Sequence, residues 1–135
     1  MKAISQGESV YCGKCRKKTS HRLTLEHGSD FILLEIIRVV EIKRKDHFIW
    51  KKNELPISFP TSGISIPGTN QKYQVIATSN HRGSLLGGHW NTKVMTKSKI
   101  WYECDDLKST NFITESPGIR DRSVVLLLLM RESCV

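Results

Sequence analysis

Two apolar runs decide most of what this chain can fold into. The first, FILLEIIRVVEIK (31–43), is crowded with β-branched side chains, and the second, SVVLLLLMR (123–131), is apolar almost without a break. β-Branched side chains are stiff at χ1 and pack well on a pleated surface, so both runs read as strands. The second reads as a central strand, because so apolar a segment needs cover on both faces. HRLTLEH (21–27) alternates apolar and polar residues, and KYQVIATS (72–79), HWNTKVM (89–95) and KIWYEC (99–104) are strand-like. The connections HGSD, PTSGISIPGTN, HRGSLLGG, TKSK and ESPGIRD are rich in turn formers, and only KDHFIWKKNEL (45–55) has room for a turn or two of helix. A mainly β, antiparallel fold is the expectation.

At 135 residues this is one domain, or a piece of a larger one. A hydrophobic fraction of 39%, spread along the length, argues against disorder. The formal net charge is +8, and most of it is N-terminal, where residues 1–52 hold twelve Lys or Arg against six acids. These basic groups stand in short runs, KCRKK, KRK and KK, which more often solvate a face than read nucleic acid. The opening MKAISQGESV lacks the apolar core of a signal peptide, and VVLLLLM (124–130) is far shorter than the ~20 residues that cross a bilayer. No membrane partner is expected. The expected setting is intracellular, cytoplasmic or nuclear, with Cys12, Cys15, Cys104 and Cys134 reduced.

The chemistry concentrates in GHWNTKVMTKSKIWYECDD (88–106). Folded as a hairpin that turns at Lys97, it sets Trp90 opposite Cys104, Thr92 opposite Tyr102 and Val94 opposite Ile100. That collects one mostly apolar face. His89 then stands opposite Asp105 on the other face, with Cβ atoms ~4.5–5.5 Å apart. A slip of one residue would mix the faces, placing Trp90 against Asp105 and His89 against Asp106. A carboxylate on one imidazole nitrogen fixes the tautomer and leaves the other free to take a proton. Gly87 and Gly88, just before the histidine, let another backbone come close. The same residues also describe a surface ion pair on an ordinary hairpin.

YQVIATSNHRGSLLGGHWNT, followed by IWYECDD, closely resembles the histidine box of the ubiquitin-specific proteases. These are papain-like cysteine peptidases that cut after the C-terminal glycine of ubiquitin. Tyr73, Asn80, His81, Gly83, Gly87, Gly88, His89, Trp101, Tyr102, Asp105 and Asp106 match the family's pattern in order. Trp90 replaces its tyrosine and Cys104 its phenylalanine. VYCGKCRKKTSHRLTLEHGSDFILLEIIRVV is similar to the family's second cysteine pair of the fingers and the strand that enters the palm. ELPISFP is similar to its short phenylalanine–proline segment, and SVVLLLLMR to its closing strand. IIRVV (36–40) stands where the family carries histidine–leucine–lysine–arginine–phenylalanine, and keeps the apolar alternation of a strand. The resemblance implies the palm (residues 31–131) and the end of the fingers (residues 10–30) of such a domain, with the cysteine-bearing helical half absent. It also implies roles. His89 would be the general base, Asp105 the residue that orients it, and Asp106 a supporting neighbour. Leu85, Leu86, Gly87, Gly88 and Trp90 would meet the ubiquitin tail, and His81 would hydrogen-bond within the loop.

A thiol protease needs an activated cysteine. The family carries it in a glycine–asparagine–threonine–cysteine–tyrosine motif, which these 135 residues do not contain. Cys104 reads as a core position facing away from Asp105, and Cys134 lies where fraying spoils preorganisation. The expectation is therefore deubiquitination as the family function, with this chain supplying the His and Asp and inactive alone. Ubiquitin or a ubiquitinated protein would be its ligand, and a partner chain would supply the cysteine half. A non-catalytic ubiquitin-binding module is the alternative, and a basic nucleic-acid-binding β-domain a weaker one. Catalysis needs no cofactor. Cys12 and Cys15 in YCGKC have the spacing of half a zinc ribbon, so a structural zinc would need two further ligands. The family supplies these from an earlier pair; His21 and His27 lie on a strand expected to run away from the knuckle.

Overall fold

The computed structural model describes residues 10–19, 28–108 and 111–132, and all regular structure in them is β-strand. HRLTLEH with His21 and His27, and Cys134, lie outside the described residues. A short hairpin comes first, β1 (Val10–Tyr11) against β2 (Lys18–Thr19). β3 (Phe31–Glu35) enters the main sheet, while β4 (Val39–Lys43) and β5 (Phe48–Lys52) form a separate hairpin. Then follow β6 (Ile64–Ser65), β7 (Lys72–Ser84), β8 (Gly87–Met95), β9 (Trp101–Cys104), β10 (Phe112–Thr114) and β11 (Val124–Arg131). The main sheet is antiparallel in the order β10-β9-β8-β7-β11-β3, with β6 pairing the start of β7.

β11 is an interior strand between β7 and β3, as its apolar run demands. Val124, Leu127 and Leu129 are buried, and bulges at two points on the β11–β7 ladder shift the phase that strict alternation would give. Their neighbours on the same face are Val75, Thr78 and Asn80 of β7 and Ile32 and Leu34 of β3. Ile57, Phe59, Ile64 and Ile66, from the long connection before β7, complete this core. The opposite face is thinner. Phe31 is 56% and Leu33 63% exposed there, so the expected double cover of β11 is met on one face only among the described residues.

Three expectations change. The run 31–43 is not one strand but two, in different sheets, interrupted at residues 36–38. The break is made by Arg38, which turns inward and is only 6% exposed. Its Nε donates to the carbonyl of Val124 (3.0 Å), Nη1 to Leu55 (2.6 Å) and Nη2 to Asp121 (3.2 Å). A buried guanidinium needs several acceptors, and the chain bends to bring these carbonyls to it. The segment 45–55 holds β5 rather than a helical turn, because Phe48, Ile49 and Trp50 have ladder partners in β4. HRGSLLGG is mostly strand, with only Leu85 and Leu86 left as its turn.

Leu129 and Leu33 test this division of the sheet. Leu129→Ala should lower the unfolding free energy by about 2–5 kcal/mol, while Leu33→Ala should change it by no more than about 0.5 kcal/mol. Urea unfolding followed by tryptophan fluorescence gives both values.

Candidate active site

The β8–β9 hairpin fixes the site. Its register pairs Thr92 with Cys104, Lys93 with Glu103, Val94 with Tyr102 and Met95 with Trp101. This is two residues away from the pairing expected from the sequence, and the reason lies in the turn. Thr96 N donates to Ile100 O (2.9 Å) and Lys99 N to Thr96 O (2.9 Å), with Lys99 at φ +60°. A left-handed residue closing a three-residue loop moves the turn centre from Lys97 to Ser98. A shift of two preserves the faces, where a slip of one would have exchanged them. His89 and Asp105 therefore share a face, but as diagonal neighbours rather than opposite ones. Asp105 is the first residue after β9, and its side chain reaches back to the imidazole.

His89 Nε2 lies 2.7 Å from Asp105 Oδ1. With the carboxylate as acceptor, Nε2 carries the proton and Nδ1 is left as the basic nitrogen, without a partner among the described residues. Asp106 sits 3.8 Å from the same nitrogen and is 86% exposed, too far for a hydrogen bond. Asp105 is the better-held acid: its side chain is 8% exposed and its Oδ1 also accepts the N–H of Leu107 (3.0 Å). That N–H is the main reason its carboxyl titrates below the ordinary carboxylate value, helped by His89 and Lys108 against the opposing effect of burial. Lys108 Nζ stands 3.8 Å from both Asp105 and Glu103, and lies 4.2 Å over the Phe112 ring. Glu103 in turn accepts from Asn91 Nδ2 (2.7 Å) in the buried row beneath the histidine. The cluster of His89, Asp105 and Asp106 brings three donor atoms within 4.8 Å, but the neighbouring ammonium disfavours a cation there.

The β7–β8 hairpin forms the other half of the region. Ser84 pairs with Gly87, leaving Leu85 and Leu86 at the tip. Ser84 Oγ accepts from Leu86 N (3.2 Å) and donates to Gly87 O (3.3 Å), closing the turn. Leu86 is fully exposed and Leu85 41% exposed, although nothing about a two-residue turn requires leucine. Gly88 is required by close packing, since a Cβ there would lie 2.3 Å from Arg82 O and from His81 Nε2. Gly87 faces open space, so the chain's own packing does not explain it. Trp90 is half exposed and tilts against His81, ring centroids 4.7 Å apart. The sequence placed Trp90 across from Cys104; the observed register gives that place to Thr92. The His81 ring thus packs against its neighbours, and the loop hydrogen bonds expected of it come from its backbone, N to Ser123 O at 2.8 Å. Burial, and then the Lys52 charge, lower its pKa. Together with Val39, Val125, Lys52 and Arg38, these residues line a groove of about 460 Å³ that runs to the two glycines before His89.

Lys52 was invisible to sequence reasoning. It comes from β5 and donates to His81 O (3.0 Å) and Gly83 O (2.7 Å), tying the separate hairpin to the groove. No local spacing signals a contact across 29 residues. Lys108 did carry a signal, three residues after Asp105. Cys104 pairs with Thr92, on the face away from Asp105. Cys12 and Cys15 stand at the turn between β1 and β2, where Cys12 N donates to Lys17 O and Arg16 adopts φ +53°. Hydrogen bonds from the Cys15 and Lys14 backbones lower the Cys12 pKa, which suits a metal-binding thiolate pair. No helix among the described residues is long and apolar enough to cross a membrane.

An imidazole held by a carboxylate, with its second nitrogen free, can accept a proton from a neighbouring group. The ubiquitin carboxyl-terminal hydrolase family matches residues 4–128, and the chain belongs to that family. Ubiquitin carboxyl-terminal hydrolase 8 of Arabidopsis thaliana is 30% identical over 106 residues, covering 71% of this chain and 12% of that protein. Ubiquitin carboxyl-terminal hydrolase 11 of Saccharomyces cerevisiae is 33% identical over 98 residues, covering 64% and 14%. The chain thus spans about one-eighth of the length of these relatives. Among solved structures, the SAGA Ubp8/Sgf11/Sus1/Sgf73 DUB module bound to ubiquitin aldehyde superposes with a TM-score of 0.69 at 16% identity, over 96% of this chain and 31% of that one. The Ubp8-Sgf11-Sgf73-Sus1 SAGA DUB module gives 0.62 at 17%, over 87% and 26%. These likenesses establish the fold as part of a ubiquitin-specific protease domain.

Two consequences can be measured. Gly88→Ala should destabilise the chain by about 1–3 kcal/mol and speed amide exchange at the β7–β8 tip, whereas Gly87→Ala should do neither. Because folding depresses the Asp105 pKa, its contribution to stability is complete above the unfolded carboxyl value and lost as pH falls through the folded one. The stability difference between the native chain and Asp105→Asn should therefore be largest near neutral pH and shrink on acidification, read by urea unfolding across the acid range.

Proposed function

We propose that this chain supplies the base half of a thiol-dependent deubiquitinase. His89 is the general base, Asp105 fixes its tautomer and orientation, and Asp106 supports the pair from the solvent side. The observation that carries this reading is the 2.7 Å contact from His89 Nε2 to Asp105, which leaves Nδ1 free to accept a proton. The imidazole would take the proton of a cysteine thiol, the thiolate would attack the carbonyl of ubiquitin's last glycine, and the imidazolium would return the proton to the amine as the C–N bond breaks; water would then hydrolyse the thioester and restore the thiol. Cys104 faces away from Asp105, so the nucleophile would come from outside these residues. Alone, the chain would be inactive.

The ubiquitin tail would lie along the groove edged by Leu85, Leu86, Gly87 and Gly88, with Trp90 on its wall. The open space at Gly87 and the solvent-exposed leucines both make sense if a ligand backbone passes there. Residues 31–131 would serve as palm and 10–30 as the end of the fingers, within a cytoplasmic or nuclear protein. Cys12 and Cys15 would contribute two of four ligands to a structural zinc, which takes no part in the chemistry. Should ubiquitin bind without any cysteine half ever engaging, the chain would be a ubiquitin-binding module instead.

Ubiquitin added to the isotope-labelled chain should shift the amides of residues 85–90. Ubiquitin lacking its C-terminal glycines should not, and Leu86→Asp should weaken binding about tenfold. Equal binding of both forms, or shifts confined to other surfaces, would refute the tail-channel assignment.

A further inference from the structure

A second concavity, about 350 Å³, opens beside the first and is lined by Lys52, Arg82, Arg120 and Arg122 with one acid, Glu54. Ion pairs among the described residues involve His89, Lys108 and Arg131 as the cations, so no carboxylate among those residues lies within pairing distance of these four. All three arginines are exposed, so solvent screens their mutual repulsion without removing it. Asp121, between Arg120 and Arg122 in the chain, has its Oδ1 turned to its own loop, where it accepts from Ser123 N, Ser123 Oγ and Val124 N.

Arg38 adds to the field. It is buried, and its acceptors are the carbonyls of Asn53, Leu55, Asp121 and Val124, on the two segments that supply Glu54, Arg122 and Ser123 to the pocket wall. A buried guanidinium held by carbonyls alone keeps its full positive charge uncompensated. Lys52 Nζ is held by two carbonyls, and the backbone of Arg120, at φ +47°, by its N–H to Ser58 Oγ (3.0 Å).

We propose that this pocket binds a phosphate monoester, with Arg82, Arg120 and Arg122 contacting its oxygens and Lys52 contributing charge. Guanidinium forks match phosphate oxygens in pairs of hydrogen bonds. A monoester carries close to two negative charges at neutral pH, against one for a diester. The lining has no aromatic ring other than His81, so it offers no stacking platform of the kind that single-stranded nucleic acid uses. A phosphorylated side chain of a partner protein and a free phosphate share this chemistry.

The test titrates the isotope-labelled full chain at neutral pH and constant ionic strength with inorganic phosphate, and separately with a phosphoserine peptide. Saturable shifts at residues 82–83 and 120–123 are expected in both arms, and the tighter arm identifies the source. Arg82→Ala/Arg122→Ala should weaken binding at least about tenfold. Lys97→Ala/Lys99→Ala, which removes equal charge from the β8–β9 turn, should leave it unchanged, and both variants should keep the native spectrum elsewhere. Non-saturating shifts, equal losses in the two variants, or tighter binding of a single-stranded oligonucleotide at the same residues would overturn the proposal.

Discussion

The register of one hairpin governs the chemistry available to this chain. Side chains alternate across a strand, so a one-residue error on β9 would send Asp105 to the far face and set His89 against Asp106 instead. The turn at Thr96 to Ile100 prevents this by closing on a left-handed Lys99, and the buried Asn91–Glu103 contact locks the same face from below. Lys108 then bridges Glu103 and Asp105, so the row beneath the histidine and the carboxylate beside it are electrostatically linked. Geometry set by the turn thus holds the imidazole and its carboxylate together on one face.

The second constraint is long-range. β4 and β5 belong to no part of the main sheet, yet they are joined to it by Arg38 and Lys52, two cations that bind only backbone carbonyls. Charge held this way orders loops without being neutralised. It explains how the groove and the basic pocket are both positioned by the same hairpin, and adds the Lys52 charge to the burial that chiefly lowers the His81 pKa.

The sequence made the antiparallel β character, the interior place of β11 and the His89–Asp105 partnership legible. Each rests on local pattern: period two, an unbroken apolar run, and residues that share a face whichever even shift applies. What escaped was set by three-dimensional context. A strand break at Arg38 depends on carbonyls from residues 55, 121 and 124, which no window around residue 38 contains. The helical turn considered for 45–55 was overridden by pairing with β4. The hairpin shift followed from a left-handed lysine, a conformation that composition alone does not signal.

The central claim is that His89 serves a cysteine that these residues do not contain. Its most direct test uses ubiquitin carrying a thiol-reactive group at its C-terminus, mixed with a separately made cysteine-bearing segment of a family member and read by intact mass. The account predicts an adduct on that segment which forms fast with the native chain present and slowly with His89→Ala, and none on the chain's own cysteines. An adduct on the chain alone, or acceleration that survives loss of His89, would contradict it.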